Sequence, residues 1–164
     1  MRRHSDPKLL EADTNRSGRA RRFDCKYTYN FWRPYHAIRN ADLDGNPATT
    51  ADPDWDSLAQ PVPNHQEYIS FHGVVTGAFM RVLMNLLGDN HTFTLTAPAL
   101  PGVAREYSSF SQAVDEVKEA RIWGGLHFRI SCDVGQEAGY AYADYLVANF
   151  LLPRGNQGRQ TGRE

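Results

Sequence analysis

Residues 70–88 read SFHGVVTGAFMRVLMNLLG, and their spacing decides the class of fold. Val74, Val75, Ala78, Phe79, Val82, Leu83, Leu86 and Leu87 fall in pairs four apart, which draws one apolar stripe along a helix. Ser70 stands where an N-cap is wanted, and Gly88 where the chain must leave the helix. The stripe Val74, Ala78, Phe79, Val82, Leu83 and Leu86 is expected to be buried against two further helices downstream.

Those helices are legible in the same way. In SSFSQAVDEVKEARIWGG, Phe110, Val114, Val117 and Arg121 share one face, with Ser108 or Ser109 as cap, over residues 108–124. DVGQEAGYAYADYLVANFLL, residues 133–152, is another helix that stops before Pro153. HTFTLTAPALPG reads as a linker with a short extended piece at Thr92–Thr96. Upstream, DCKYTYNFWRPYHAIRNAD is an aromatic-rich helix interrupted or restarted at Pro34. DLDGNPATTADPDWDSLAQPVPNHQEY is rich in Pro, Asp, Asn and Thr and reads as an ordered irregular loop. A loop of that length in a compact domain is usually functional. The expected fold class is all-α, a helical bundle with one long irregular loop and no internal repeat.

Charge divides the 164 residues into one domain and two tails. Residues 1–22 carry seven basic and three acidic side chains, and 154–164 three arginines and one glutamate. With a net charge of -1 overall, residues 23–153 hold a net -7, which excludes a nucleic-acid surface. The basic tails lack periodicity and are expected to be disordered. The chain opens without an apolar segment of signal-peptide type, and no run reaches the ~18 apolar residues of a membrane span. The expectation is a soluble protein, cytoplasmic as written. Cys25 and Cys132 have no metal spacing and read as plain thiols.

Three features carry chemistry. Ser70 and His72 open the strongest helix, whose free N–H groups and dipole favour an anion, although Ser70 also reads as a simple cap. Lys26 and Arg33 lie two helical turns apart among Tyr27, Tyr29, Phe31 and Trp32, so they either snorkel to water or converge on an anion. Arg121 and His127 flank Gly124-Gly125, a pair that lets the chain turn sharply and bring His127 back toward Arg121. Together, three cations, a helix N-terminus and two histidines suit a tetrahedral or trigonal-bipyramidal oxyanion. One histidine would bond the central atom and the other would move a proton.

Lysine, six residues, then Arg-Pro (Lys26 to Pro34); Ser-x-His at a helix start (Ser70 to His72); and arginine, five residues, then histidine (Arg121 to His127) form an ordered set. With it, the chain resembles the superfamily shared by vanadium-dependent haloperoxidases and type 2 phosphatidic acid phosphatases. The strings YNFWRP, DGNPATT, SFSQA and GGLHFR look most like its soluble bacterial haloperoxidase-related branch, over about Asp24 to Pro153. The resemblance implies a helical bundle with the oxyanion site between helices. It implies His127 as the ligand to vanadium or the nucleophile toward phosphorus, and His72 as the acid–base group. Lys26, Arg33 and Arg121 would neutralise the oxyanion, with Ser70 and the backbone N–H of Phe71 as further donors. The family motif Pro-Ser-Gly-His is here Ile69-Ser70-Phe71-His72, so a side chain stands where the pattern has glycine, and a positive φ there would be costly. Ala120 replaces the usual serine before Arg121. The chain keeps the motif-bearing C-terminal part of the longer family members.

The implied function is a vanadate-dependent haloperoxidase that uses hydrogen peroxide to oxidise halide. The alternatives are a phosphatase that hydrolyses a phosphate ester through a phosphohistidine at His127 without a cofactor, and an inactive truncated member. The partners are small molecules, and a homodimer is the expected outcome if the apolar stripe faces water.

Overall fold

A computed structural model describes residues 20–151. Helix α1 spans Ala20–Tyr29 and α2 Pro34–Arg39, followed by a 3-10 turn at Ala41–Leu43. Pro34 starts α2 at a position where its missing N–H costs nothing. The break between α1 and α2 passes through Asn30, the one non-glycine residue at positive φ (43°) among the described residues. The expected tails at 1–22 and 154–164 lie outside the described residues, except that α1 already begins at Ala20.

The long helices are α3 (Phe71–Leu87), α4 (Phe110–Trp123) and α5 (Arg129–Asn149). Ser70 caps α3 by accepting the Gly73 N–H at 3.4 Å, and Ser109 caps α4 by accepting the Gln112 N–H at 3.1 Å. Helix α5 starts four residues before the expected Asp133. The linker after α3 is more ordered than its composition suggests. β1 (Phe93–Thr96) pairs antiparallel with β2 (Ala104–Tyr107), in the register Phe93 opposite Tyr107 and Thr96 opposite Ala104. The extended piece near Thr92–Thr96 was legible, but its partner strand was not. The all-α expectation therefore gains a two-stranded sheet beside the bundle. Met80, Tyr107, Phe110, Ala113 and Val114 form the core where α3, α4 and this hairpin meet.

The buried face of α3 differs from the one expected. Gly73, Gly77 and Met80 are buried, whereas Val75, Phe79, Leu86 and Leu87 are exposed. The cause is the packing of α3 on α5. Gly73 and Gly77 of α3 face Gly135 and Gly139 of α5, each pair one turn apart. A Cβ on Gly135 would stand 2.5 Å from the Ser70 carbonyl oxygen, and one on Gly139 2.4 Å from that of Val74. The two backbones meet directly, so the face without side chains is buried; of the expected stripe Val74, Ala78, Val82 and Leu83 are half-buried, Leu83 against the core, while Phe79 and Leu86 turn outward. Val75, Phe79 and Met80 then line an apolar groove closed by Leu95, Tyr107, Ala113 and Val117.

The irregular loop before α3 is stitched to the bundle by backbone bonds: Asp52 N–H to Ile38, Ala59 N–H to Gly124, Glu67 N–H to Phe31 and Ser70 N–H to Ser131, each at 3.0 Å. Among the described residues no helix is long and apolar enough to cross a membrane.

Candidate oxyanion site

The site is built where the end of the irregular loop meets α1, the α2 start and the α4–α5 turn. Gly125 makes that turn at φ 72°, and a Cβ there would strike the Trp55 ring at 2.8 Å. The turn closes with Leu126 N–H and His127 N–H donating to the Arg121 carbonyl at 3.1 and 3.3 Å. The glycine pair thus ties His127 back to Arg121, as the sequence suggested.

Lys26, Arg33, Ser70 and His127 are all buried here. Lys26 donates its three N–H bonds to the carbonyls of Gln66 (3.0 Å), Glu67 (3.2 Å) and Ile69 (3.1 Å). It therefore clamps the segment that leads into Ser70, rather than snorkelling to water. Burial and the neighbouring Arg33 lower its pKa to about 8. Arg33, 2% exposed, donates from Nε to the His65 carbonyl at 2.9 Å and from Nη1 to the Leu126 carbonyl at 2.7 Å, and its Nη2 lies 3.1 Å from His65 Nδ1. Its remaining N–H bonds are not used by these contacts. Arg121 is half-buried, and its Nε is a buried donor with no hydrogen-bond partner. Burial lowers the pKa of both arginines; at Arg33 the Glu67 carboxylate opposes the shift and the charge of Arg121 adds to it.

Ser70 is fully buried; besides capping α3 it bonds the Cys132 thiol, whose pKa burial raises. Cys25 and Cys132 are both free thiols. Phe71 is the first residue of α3 and is not at positive φ, so the strain feared at this position does not arise. His72 sits at the exposed rim of the site. Crowding of its ring, then the charges of Arg121 and His127, lower its pKa.

Two residues were missed at the level of sequence. His65 Nδ1 lies 3.1 Å from Arg33 Nη2 and 3.0 Å from the Gln66 carbonyl oxygen, and its pKa is lowered chiefly by burial. Glu67 is fully buried, and its Oε1 lies 2.7 Å from His127 Nδ1 and 3.0 Å from the Phe128 amide nitrogen. Its other oxygen accepts the Ser131 hydroxyl. The signal available was a lone carboxylate in the loop just before Ser70. Nothing local ties that carboxylate to a histidine 60 positions away. Burial lowers the pKa of His127, and Glu67 opposes that shift.

Three cationic side chains with one buried carboxylate leave this region positively charged. A buried surplus of positive charge is costly unless an anion completes it. The orphaned Nε of Arg121 marks where an acceptor oxygen is wanted. Among the described residues no group of three or more His, Cys, Asp or Glu is placed to hold a metal ion.

Comparison with known proteins gives the family. The family model for the VCPO second helical-bundle domain matches residues 18–151. Among solved structures, the first bacterial vanadium-dependent iodoperoxidase is similar at 33% identity and a TM-score of 0.65, over 76% of this chain and 28% of that one. The holo-type and apo-type forms of a bacterial vanadium-dependent chloroperoxidase share the fold at 23% identity, with TM-scores of 0.52 and 0.53. Each covers 68% of this chain, and the chain spans 28% and 29% of their lengths. No curated protein sequence matches. With the family model covering most of its length, the chain belongs to the vanadium haloperoxidase superfamily, as a counterpart of its second helical bundle.

Proposed function

We propose that this chain carries the oxyanion site of a vanadate-dependent haloperoxidase, with His127 as the ligand to vanadium through Nε2. The observation that carries the reading is the unpartnered, buried Nε of Arg121 beside His127, inside a region of surplus positive charge. Arg121 and the free N–H bonds of Arg33 would donate to the equatorial oxygens. The Ser70 hydroxyl and the Phe71 backbone at the α3 N-terminus would add neutral donors. Lys26 contributes its charge from behind the Gln66–Ile69 backbone, because its own N–H bonds are taken. When bound, vanadate supplies a Lewis-acid centre that activates hydrogen peroxide toward halide. His72, at the rim of the site, would accept the proton that hydrogen peroxide gives up on entering. The 33% identity to an iodoperoxidase makes iodide the first halide to test. It also favours the peroxidase over the phosphatase, in which His127 would attack phosphorus and His72 would protonate the leaving oxygen.

The test is a vanadate titration of the purified chain by vanadium-51 NMR, followed by iodide-oxidation, bromide-oxidation and phosphate-ester assays on the same sample. Binding with halide oxidation is the expected result. Ester hydrolysis without halide oxidation replaces the peroxidase reading with the phosphatase. A wild type that takes up no vanadate overturns the cofactor assignment.

A further inference from the structure

We infer that Glu67 is a positioning residue for His127: it holds the imidazole in the Nδ1–H tautomer, so that Nε2 bears the lone pair that meets the oxyanion. The inference rests on the reading of His127 as the ligating residue. Its warrant is the set of hydrogen bonds around one carboxylate. Glu67 Oε1 accepts the amide N–H of Phe128 at 3.0 Å, and Oε2 accepts the Ser131 hydroxyl. A carboxylate that accepts from an amide and a hydroxyl has no proton of its own to give. The 2.7 Å contact with His127 Nδ1 is therefore an N–H donated by the ring. With the proton fixed on Nδ1, Nε2 is left as the acceptor and ligating atom.

The carboxylate is itself held from behind. The Glu67 amide N–H donates to the Phe31 carbonyl at 3.0 Å, and Lys26 grips the carbonyls of Gln66, Glu67 and Ile69. Arg33 holds the His65 carbonyl two residues upstream and the Leu126 carbonyl just before His127. The two family cations thus position the two segments that face each other across the Glu67–His127 bond. A purely structural role is the rival explanation. Phe128 is the N-cap of α5 and makes no side-chain cap bond, so the Glu67 carboxylate also satisfies the first turn of that helix. Removing a cap lowers stability. It does not move a proton between imidazole nitrogens.

The experiment separates the two. The full chain is compared as wild type, Glu67→Gln, Glu67→Met and Ser131→Ala. The His127 tautomer is read from long-range proton–nitrogen-15 correlations without vanadate, and the vanadate dissociation constant is measured at one pH. Wild type and Ser131→Ala should show the Nδ1–H form. Glu67→Gln keeps an acceptor, and so keeps that tautomer, while its neutral amide weakens vanadate binding about tenfold. Glu67→Met should mix the tautomers and weaken binding toward the upper end of the 10–100-fold range typical for removing the partner of a ligating histidine. A folded Glu67→Met that retains the pure Nδ1–H form overturns the inference. If that variant does not fold, unchanged vanadate affinity in Glu67→Gln overturns it. A wild type that binds no vanadate refutes the cofactor reading alone, and the tautomer measurement still decides what Glu67 does.

Discussion

Gly139→Ala adds one methyl group at the closest approach of α3 and α5. That carbon would stand 2.4 Å from the Val74 carbonyl oxygen, 2.8 Å from the Ala78 nitrogen and 3.2 Å from the Gly77 carbonyl carbon. All three are backbone atoms, so no rotamer change relieves the contact. Restoring an ordinary separation requires the helices to part by close to an ångström along their main interface. Overpacking of this kind costs about 3 kcal/mol. Against it stands the helix propensity of alanine, about 1 kcal/mol better than glycine in a helix interior. The expected net loss is about 2 kcal/mol, or a melting temperature lower by about 6 °C in a chain of this size. Gly77→Ala is the internal control. Its Cβ would meet Gln136 O at 3.1 Å and Gln136 Cα at 3.3 Å, so the steric cost is small and the propensity gain offsets it. Urea denaturation followed by circular dichroism measures both. If Gly139→Ala is as stable as Gly77→Ala, the backbone contact is not what sets the α3–α5 distance. Parting the helices should also weaken vanadate binding, because Ser70 leans on the same contact through Gly135.

Arg121→Lys keeps the charge but removes the Nε donor and the planar fork, and should weaken vanadate affinity by at least tenfold, read by the same NMR titration. His127→Ala should abolish vanadate binding and any halide oxidation, and retention of both would remove His127 from the site. Stability should fall as pH drops below 6.5. The pKa values of His65, His72 and His127 are all lowered in the folded chain, so the unfolded chain binds protons first, and acid favours it. Urea midpoints at pH 7.5 and 5.5 check this, and a midpoint that rises toward pH 5.5 would contradict the sign. Ser109→Ala should cost about 1 kcal/mol through loss of the α4 cap, seen as a lower urea midpoint without a change in vanadate affinity.

Features that depend on near neighbours were legible before the chain folds. The period of four in residues 70–88, with Ser70 and Gly88 at its ends, is enough to specify α3, because helical hydrogen bonds and caps join residues within one turn. The same holds for the Ser109 cap and for the Gly124-Gly125 turn that returns His127 to Arg121. The three spaced pairs of polar residues were legible because each pair belongs to one local segment. Tertiary structure alone decided the rest. Which face of α3 is buried depends on Gly135 and Gly139, some 60 residues away, since a glycine face is buried only where a second glycine face lets the backbones touch. The partner of β1 was hidden because the strand that pairs with it, Ala104–Tyr107, is exposed along most of its length and lacks a clean alternation. Lys26 looked like a donor to an anion, but the fold brings three carbonyls within its reach. Glu67 looked like one more carboxylate in a polar loop, and it gained meaning only when the α4–α5 turn carried His127 to within a hydrogen bond of it. A charge in a loop has no assigned partner until the chain closes, because water screens it equally from every candidate; burial removes that water and leaves the one donor within reach.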